Sequence, residues 1–307
     1  MGQKFILLHK SYKQYSMKRI SNVVIVLCLL TSFLSCEKEL ETNLAIKPSL
    51  CFNCILNPDS LIHGSLSISQ SIAESKPITK LNKAIIELTK DKQLIGKMEN
   101  TSDGVYSFNM KPDFGSLYEI TIKAEGFPEL HASTVIPEKP SVNNQMANPI
   151  LNYPNSTYSY YSYQNTISIN DRPGTNRYWV YRLVNHPSFG IIFGYGFNDV
   201  NSPLIDDFNK VIDAATDPLG FHYEYYLRIN DTLMDGQALI FSFKFREKDI
   251  LFFMDVDEHY DKYLKSSIKQ RMNDGDNLLF NEPIQIYSNI ENGLGIFGSV
   301  AITSFKL

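Results

Sequence analysis

From Leu50 onward the chain is cut into short runs of β-branched, aromatic and aliphatic residues, with a turn signal every ten or so positions. This rhythm is the tightest constraint on the fold. Runs of ~4–8 residues are strand-length and too short for ordinary helices, which need at least ~10. Strands are expected at Leu50–Leu56, His63–Ser69, Ala84–Thr89, Val105–Met110, Tyr118–Ala124 and Ala132–Ile136. Between them stand Asn57-Pro58-Asp59, Lys76-Pro77, Asp103-Gly104, Lys111-Pro112 and Gly126-Phe127-Pro128. Evenly spaced short strands with such punctuation predict an immunoglobulin-like two-sheet sandwich over residues 50–137. The 18 Tyr and 19 Phe against one Trp agree, because these side chains pack well on a pleated surface.

Residues 138–155 are rich in Pro and Asn and show little periodicity, so they are expected as a Pro-rich linker. Residues 156–307 are then a second β-rich domain. Its expected strands are Tyr158–Ile169, Tyr178–Val184, Gly190–Phe197, His222–Ile229, Ala238–Arg246 and Ile250–Met254, with turn signals at Asn230-Asp231 and Asp235-Gly236. Asp199 to Gly220 reads as a long loop with a helical turn. One helix is expected, Glu258–Met272. Asp257 caps it, Tyr260, Leu264 and Ile268 share a face, and Lys and Arg crowd its last turn. The fold class is therefore mainly β, with one helix in the second domain.

Residues 1–35 are read as a signal peptide, with Met17 preferred over Met1 as the start. Lys18 and Arg19 precede an apolar run, Val23–Leu34, which stops at Ser35-Cys36. About twelve apolar residues are too few to cross a ~30 Å hydrocarbon core. A Cys directly after a small residue instead marks a bacterial lipoprotein, with Cys36 lipidated and residues 36–49 forming a tether. Cys51 and Cys54 are also available as a Cys-x-x-Cys redox pair or half a zinc site. Inside a strand, however, they point to opposite faces ~10 Å apart, too far for a disulfide. No second Cys/His pair stands at zinc spacing, so two ordinary strand cysteines are expected.

A net charge of −4 with no basic stripe excludes nucleic acid as the expected partner. The group most like a metal site is Asp255, Asp257, Glu258 and His259; the competing reading, a strand end leading into a capped helix, is preferred. Asp206, Asp207, Asp213 and Asp217 lack the spacing of a calcium loop. No metal and no cofactor are therefore expected. Residues Tyr153–Tyr163 are the most binding-like stretch, and Tyr158, Tyr160, Tyr161 and Tyr163 are the candidate ligand-binding residues. Tyrosines among small polar neighbours give rigid contact area at low entropic cost, although strand aromatics filling a core are the plainer reading. Gly-x-Ser-x-Gly, His-Glu-x-x-His and phosphate-loop motifs are all missing, and no catalytic residue is assigned.

Two resemblances sharpen this picture. Asn82–Leu88, Asp103–Phe108 and Leu117–Ile122 resemble the small transthyretin-like sandwiches of carboxypeptidase regulatory domains. The stretch Glu282–Gly298, with Cys54–Ser60, Ser65–Ser71 and Tyr260–Gln270, resembles the Bacteroidetes lipoproteins grouped as domain of unknown function 4249. That likeness implies no catalytic residues. It does imply that Glu37, Lys38 and Glu39 act as a surface-export tag, although Leu40 interrupts the usual pair of acids. It also implies a place beside a TonB-dependent outer-membrane transporter. The expected function is a surface-exposed, non-enzymatic outer-membrane lipoprotein that binds a ligand or protein for nutrient uptake. The alternative is a structural or adhesive envelope lipoprotein, with an enzyme a distant third. Asn292-Gly293 and Gly295 read as a turn between Ile286 and Ile296.

Overall fold

The first strand, β1 (Leu50–Leu56), buries Leu50, Phe52, Cys54 and Leu56, while the residues between them face outward. This period of two is what half-buried sheet requires. Antiparallel β2 (Ile62–Ile68) lies on one side of β1. On the other side lies the first half of β16 (Leu294–Lys306), in parallel register from Cys51↔Leu294 to Leu56↔Ser299. From β2 the order continues through β5 (Val105–Phe108), β4 (Gln93–Ser102), β3 (Ile85–Lys90), β6 (Leu117–Lys123) and β7 (Leu130–Val135). These strands wrap one apolar core, to which Ile290 and Phe297 are added from the far end of the chain.

The computed structural model describes residues 47–71, 76–155, 157, 159–186, 190–193, 204–208, 226–232, 235–246, 250–275 and 284–306. It is mainly β. Strands β1 and β14 (Ala238–Arg246) have the expected limits, and the other expected strands differ at their ends. The outer portions of two of them, residues 194–197 and 222–225, lie outside the described residues. Strand β4 was not expected. Met98 is its only buried residue, so it carries no apolar alternation. It follows a two-residue turn whose Asp91 and Lys92 both have positive φ, the twist that joins hairpin strands best.

At Val256↔Val300 the long strand β16 changes partner, and its second half pairs antiparallel with β15 (Ile250–Val256). Beyond β15 lies β11 (Arg177–His186), flanked by β12 (Gly190–Phe193) and β13 (Tyr226–Asn230). Alternation then divides this half into layers. Tyr178, Val180, Leu251 and Phe253 face a second sheet made of β14, β10 (Tyr160–Asn170), β8 (Ser141–Met146) and β9 (Ile150–Asn152). Trp179, Met254, Val256 and Val300 face helix α1 (Glu258–Gly275) through Leu264 and Ile268.

Three expectations change. Residues 138–155, read as a linker, contain β8 and β9, which pair with β10. Their side chains are mostly Asn, Gln and Ser, so they lack the apolar pattern that announces a strand. Helix α1 runs past Met272 to Gly275, and no basic residue falls in its last turn. Gly295 lies within β16, not in a turn; it is Asn292, at φ 61°, that turns the chain. At Gly295 the backbone has φ 109°, and a Cβ there would overlap the carbonyl oxygen of Phe52 on β1. Gly295→Ala should therefore destabilise by more than about 1 kcal/mol. Thermal unfolding should show this as a fall of roughly 2–4 °C per kcal/mol.

Candidate functional site

Helix α1 begins where β16 changes partner, and the junction is polar. Asp257 is the cap: its Oδ1 accepts the Tyr260 N–H at 2.9 Å and the Ser299 N–H at 3.1 Å. Its Oδ2 accepts the Thr134 hydroxyl at 2.8 Å, and Thr134 also lies 2.9 Å from Ser299 Oγ. All three residues are buried. They tie β7, β16 and α1 together at one point. Burial pushes the Asp257 carboxyl up, and the hydrogen bonds from Tyr260, Ser299 and Thr134 only partly oppose it.

Two residues earlier, Asp255 is 2% exposed and pairs with the Arg172 guanidinium, while its Oδ1 accepts the Arg177 N–H at 3.1 Å. Burial raises its pKa to about 6 against the pull of Arg177 N–H and Arg172. Asn176 shapes the loop that carries both arginines. Its side chain donates to Arg172 O, Gly174 O and Asp171 Oδ1, and its backbone N–H donates to buried Asp231 at 2.6 Å.

On the helix side, Asp261 Oδ1 accepts Trp179 Nε1–H at 2.7 Å and Arg228 Nε–H at 2.7 Å. The two charged side chains are only 7% and 10% exposed. Burial pushes Asp261 up, but Arg228, Lys265 and the indole N–H outweigh it and leave the carboxyl below its ordinary range. This ion pair holds α1 to β11 and β13.

Between these groups a cavity of about 390 Å³ opens, lined by Ser133, Thr134, Thr175, Arg172, Arg177, Asp255 and His259 among others. Ser133 and His259 also line an adjoining space of about 350 Å³, with Glu119, Thr121, His131 and Glu291. His259 Nδ1 lies 2.8 Å from the Tyr287 hydroxyl, and the Tyr287 N–H donates to Ser266 on α1. The segment before β16 thus straps the helix. Further on, Asn289 brackets Phe297, accepting its N–H and donating to its carbonyl.

The expected acidic cluster is therefore one place in space, but its carboxylates serve as helix cap and ion-pair partners. Among the described residues no group of three His, Cys, Asp or Glu is placed to hold a metal ion. Sequence reasoning did not single out Arg172, Arg177 or Asn176; the Asp-Arg-Pro-Gly turn at 171–174 was the available signal. Cys51 and Cys54 are free thiols on opposite faces of β1, and burial pushes Cys54 up to about 12, which keeps it unreactive. Asp206 accepts the Phe208 N–H and Asp207 is exposed; Asp213 and Asp217 lie outside the described residues.

Of the candidate tyrosines, Tyr161 is 49% exposed and Tyr163 half-buried, on the same face of β10 as the buried Ile167 and Ile169. Cross-strand pairing places Leu151 opposite Tyr161 and Met146 opposite Asn165, and both are exposed. The apolar face thus continues past the end of the core. Asn144 and Asn165, on that face, keep buried Oδ1 atoms without a hydrogen-bond partner. No charged residue or histidine stands between Lys139 and Asp171, although 20% of the chain is charged. Tyr158 lies outside the described residues, as do Met17, Cys36, Glu37, Lys38 and Glu39.

A family model matches residues 37–306. The chain belongs to the family described as a domain of unknown function, DUF4249. No curated protein matches it. The match runs through both halves of the β structure and takes in both β1 and β16.

The pair at Asp261 gives a direct test. Asp261→Asn leaves Arg228 buried without its counter-charge and should lower stability by about 3–5 kcal/mol at neutral pH, read by urea unfolding. Because the folded carboxyl titrates below its unfolded value, its contribution is present above the ordinary carboxylate pKa of ~4. The contribution is lost as pH falls through the lower folded value. The gap between wild type and Asp261→Asn should therefore narrow in acid.

Proposed function

We propose that this protein is a lipid-anchored outer-membrane lipoprotein, exposed at the cell surface, that binds a ligand or protein without transforming it. Within that reading it serves a TonB-dependent uptake system. The observation that carries it is the run of three strands without a charged residue, β8, β9 and β10, where Met146, Leu151 and Tyr161 lie exposed on one face. Depletion of charge with enrichment of Tyr and Met is the composition of protein-contact surfaces. An exposed apolar face of this kind on a folded domain marks a place where something docks. The engagement of Asp255, Asp257 and Asp261 in internal bonds supports binding over chemistry. The leader ending at Ser35-Cys36 supports anchoring by lipid.

Two measurements test the reading. Cys36→Ala should move the protein from the membrane fraction to the soluble fraction on immunoblots, since a lipid-modified thiol is the proposed anchor. Wild type purified from native membranes should carry a TonB-dependent transporter identified by mass spectrometry. Met146→Lys with Tyr161→Ala should lower that recovery by about tenfold or more, as for loss of a contact centre of ~1.4 kcal/mol or above. A lipoprotein recovered alone from native membranes would overturn the uptake role.

A further inference from the structure

The strand pairings gather one set of side chains at the end of the first core where β1 begins. There Leu50 lies opposite Ile68, the last residue of β2, and Cys51 lies opposite Leu294, the first residue of β16. The segment leading to β3 runs alongside, since Ile68 N–H donates to Thr79 O and Leu81 N–H to Leu66 O. It then crosses the end of the core, where Ala84 N–H donates to the buried Tyr106 hydroxyl at 3.0 Å. Beyond it Ile85 pairs with Lys123, the last residue of β6, and Asn292 donates to Glu129 O just before β7. Lys47, Lys76 to Ile85, Lys123 to Glu129 and Leu294 therefore share one end.

This end is both apolar and basic. Ile78, Ile85 and Leu294 are 55%, 48% and 44% exposed. A shallow cleft of about 480 Å³ lies against Ala84, Ile85 and Ala124, with Lys83, Lys123 and Glu125 also lining it. From Lys76 to Ile86 the sequence holds Lys76, Lys80 and Lys83 and no acid. These lysines and Lys47 are exposed, and none of them pairs with a carboxylate among the described residues. The acids nearby are Asp103, Glu125, Glu129 and Glu291. Asp103 accepts the Asn82 side-chain N–H at 3.1 Å, and Glu129 lies 3.7 Å from Lys123. Glu291 lines the separate space beside His131. At the opposite end of the same strands Lys90 and Lys139 are held by Asp113 and Asp59, at 2.5 Å and 3.2 Å.

We propose that this end of the protein rests on an anionic lipid surface, the face of the membrane in which Cys36 is anchored. Cys36 stands about eleven residues before Lys47, so a lipid on its thiol keeps the start of β1 within ~40 Å of the bilayer. At that distance a weak surface attraction becomes intramolecular and needs little affinity of its own. Ile78, Ile85 and Leu294 then meet the boundary between headgroups and acyl chains. Lysine stems lie along the same apolar surface and keep their ammonium groups among the phosphates. Strand β16 runs parallel to β1, away from this end. The layers built on its second half, with Met146, Leu151 and Tyr161, therefore stand clear of the lipid. The inference rests on the lipid anchor proposed above and does not depend on the transporter.

The test uses the full mature protein, reconstituted in vesicles of phosphatidylcholine and phosphatidylglycerol in equal parts, and the same protein in detergent. Brief lysine acetylation is read site by site by mass spectrometry. Labelling of Lys76, Lys80 and Lys83 should be about fivefold or more slower in the vesicles, the change that one lysine's attraction to an anionic surface provides. Lys92 and Lys111, exposed at the opposite end, should label alike in both. Vesicles of phosphatidylcholine alone should give weaker protection. Lys76→Glu with Lys80→Glu should abolish the protection of Lys47 and Lys83, while the unfolding temperature in detergent stays close to wild type. Vesicle-bound protein whose lysines label as in detergent would overturn the docking and leave the anchor standing, as would equal protection of both ends. Protein that does not float with the vesicles would overturn the anchor, and the docking with it, so the two failures are distinguishable.

Discussion

The parallel pairing of β1 with β16 is the constraint on which the rest depends. It joins the first described strand to the last, across most of the chain's length. Six residue pairs in register bring Phe297 into the first core, and the same strand then serves as an edge for β15. Such a contact closes a very long loop, whose entropic cost is offset by the apolar clusters packed on either part of β16. Residues Lys47–Leu307 accordingly form one compact unit. The glycine at 295 shows how close the two backbones run at this seam.

Where β16 changes partners, backbone groups would be left over, and polar side chains take their place. Asp257 supplies the acceptor for Ser299 N–H, Ser299 Oγ donates to Val135 O, and Asn289 donates weakly, at 3.4 Å, to Ser133 O. With the Glu291 N–H on His131 O, three successive outward carbonyls of β7 are covered without a full strand. An edge strand closed by side chains is protected against pairing with another chain. The same arrangement leaves space beside α1, because side chains fill less of the seam than a strand would. The cavity is thus a consequence of how the sheet is closed.

Legibility in the sequence followed burial on one face. Strands β1 and β14 were readable at their limits, and the Tyr260, Leu264 and Ile268 stripe with its Asp257 cap announced the helix. Strands β4, β8 and β9 were not readable, because polar edge or corner strands bury too little to alternate. Strand β16 was hidden for the opposite reason. Residues Ile296–Ala301 are buried on both faces, so the run shows no period of two. Of the site, the acidic cluster and the capping role of Asp257 were visible, while the arginine partner of Asp255 was not. The further bonds that commit both Asp257 oxygens come from Ser299 and Thr134, both far away in the sequence.

The sequence by itself determined the mainly β class, the helix and its cap, the opposite-facing cysteines and the family. Each rests on local pattern or on a contiguous motif. Only the tertiary structure decided that β16 completes the first sheet and that Asp255 and Asp261 are matched by arginines. Partners separated by tens to hundreds of residues leave no periodic trace in the chain, so such pairings are decided only when the chain has folded.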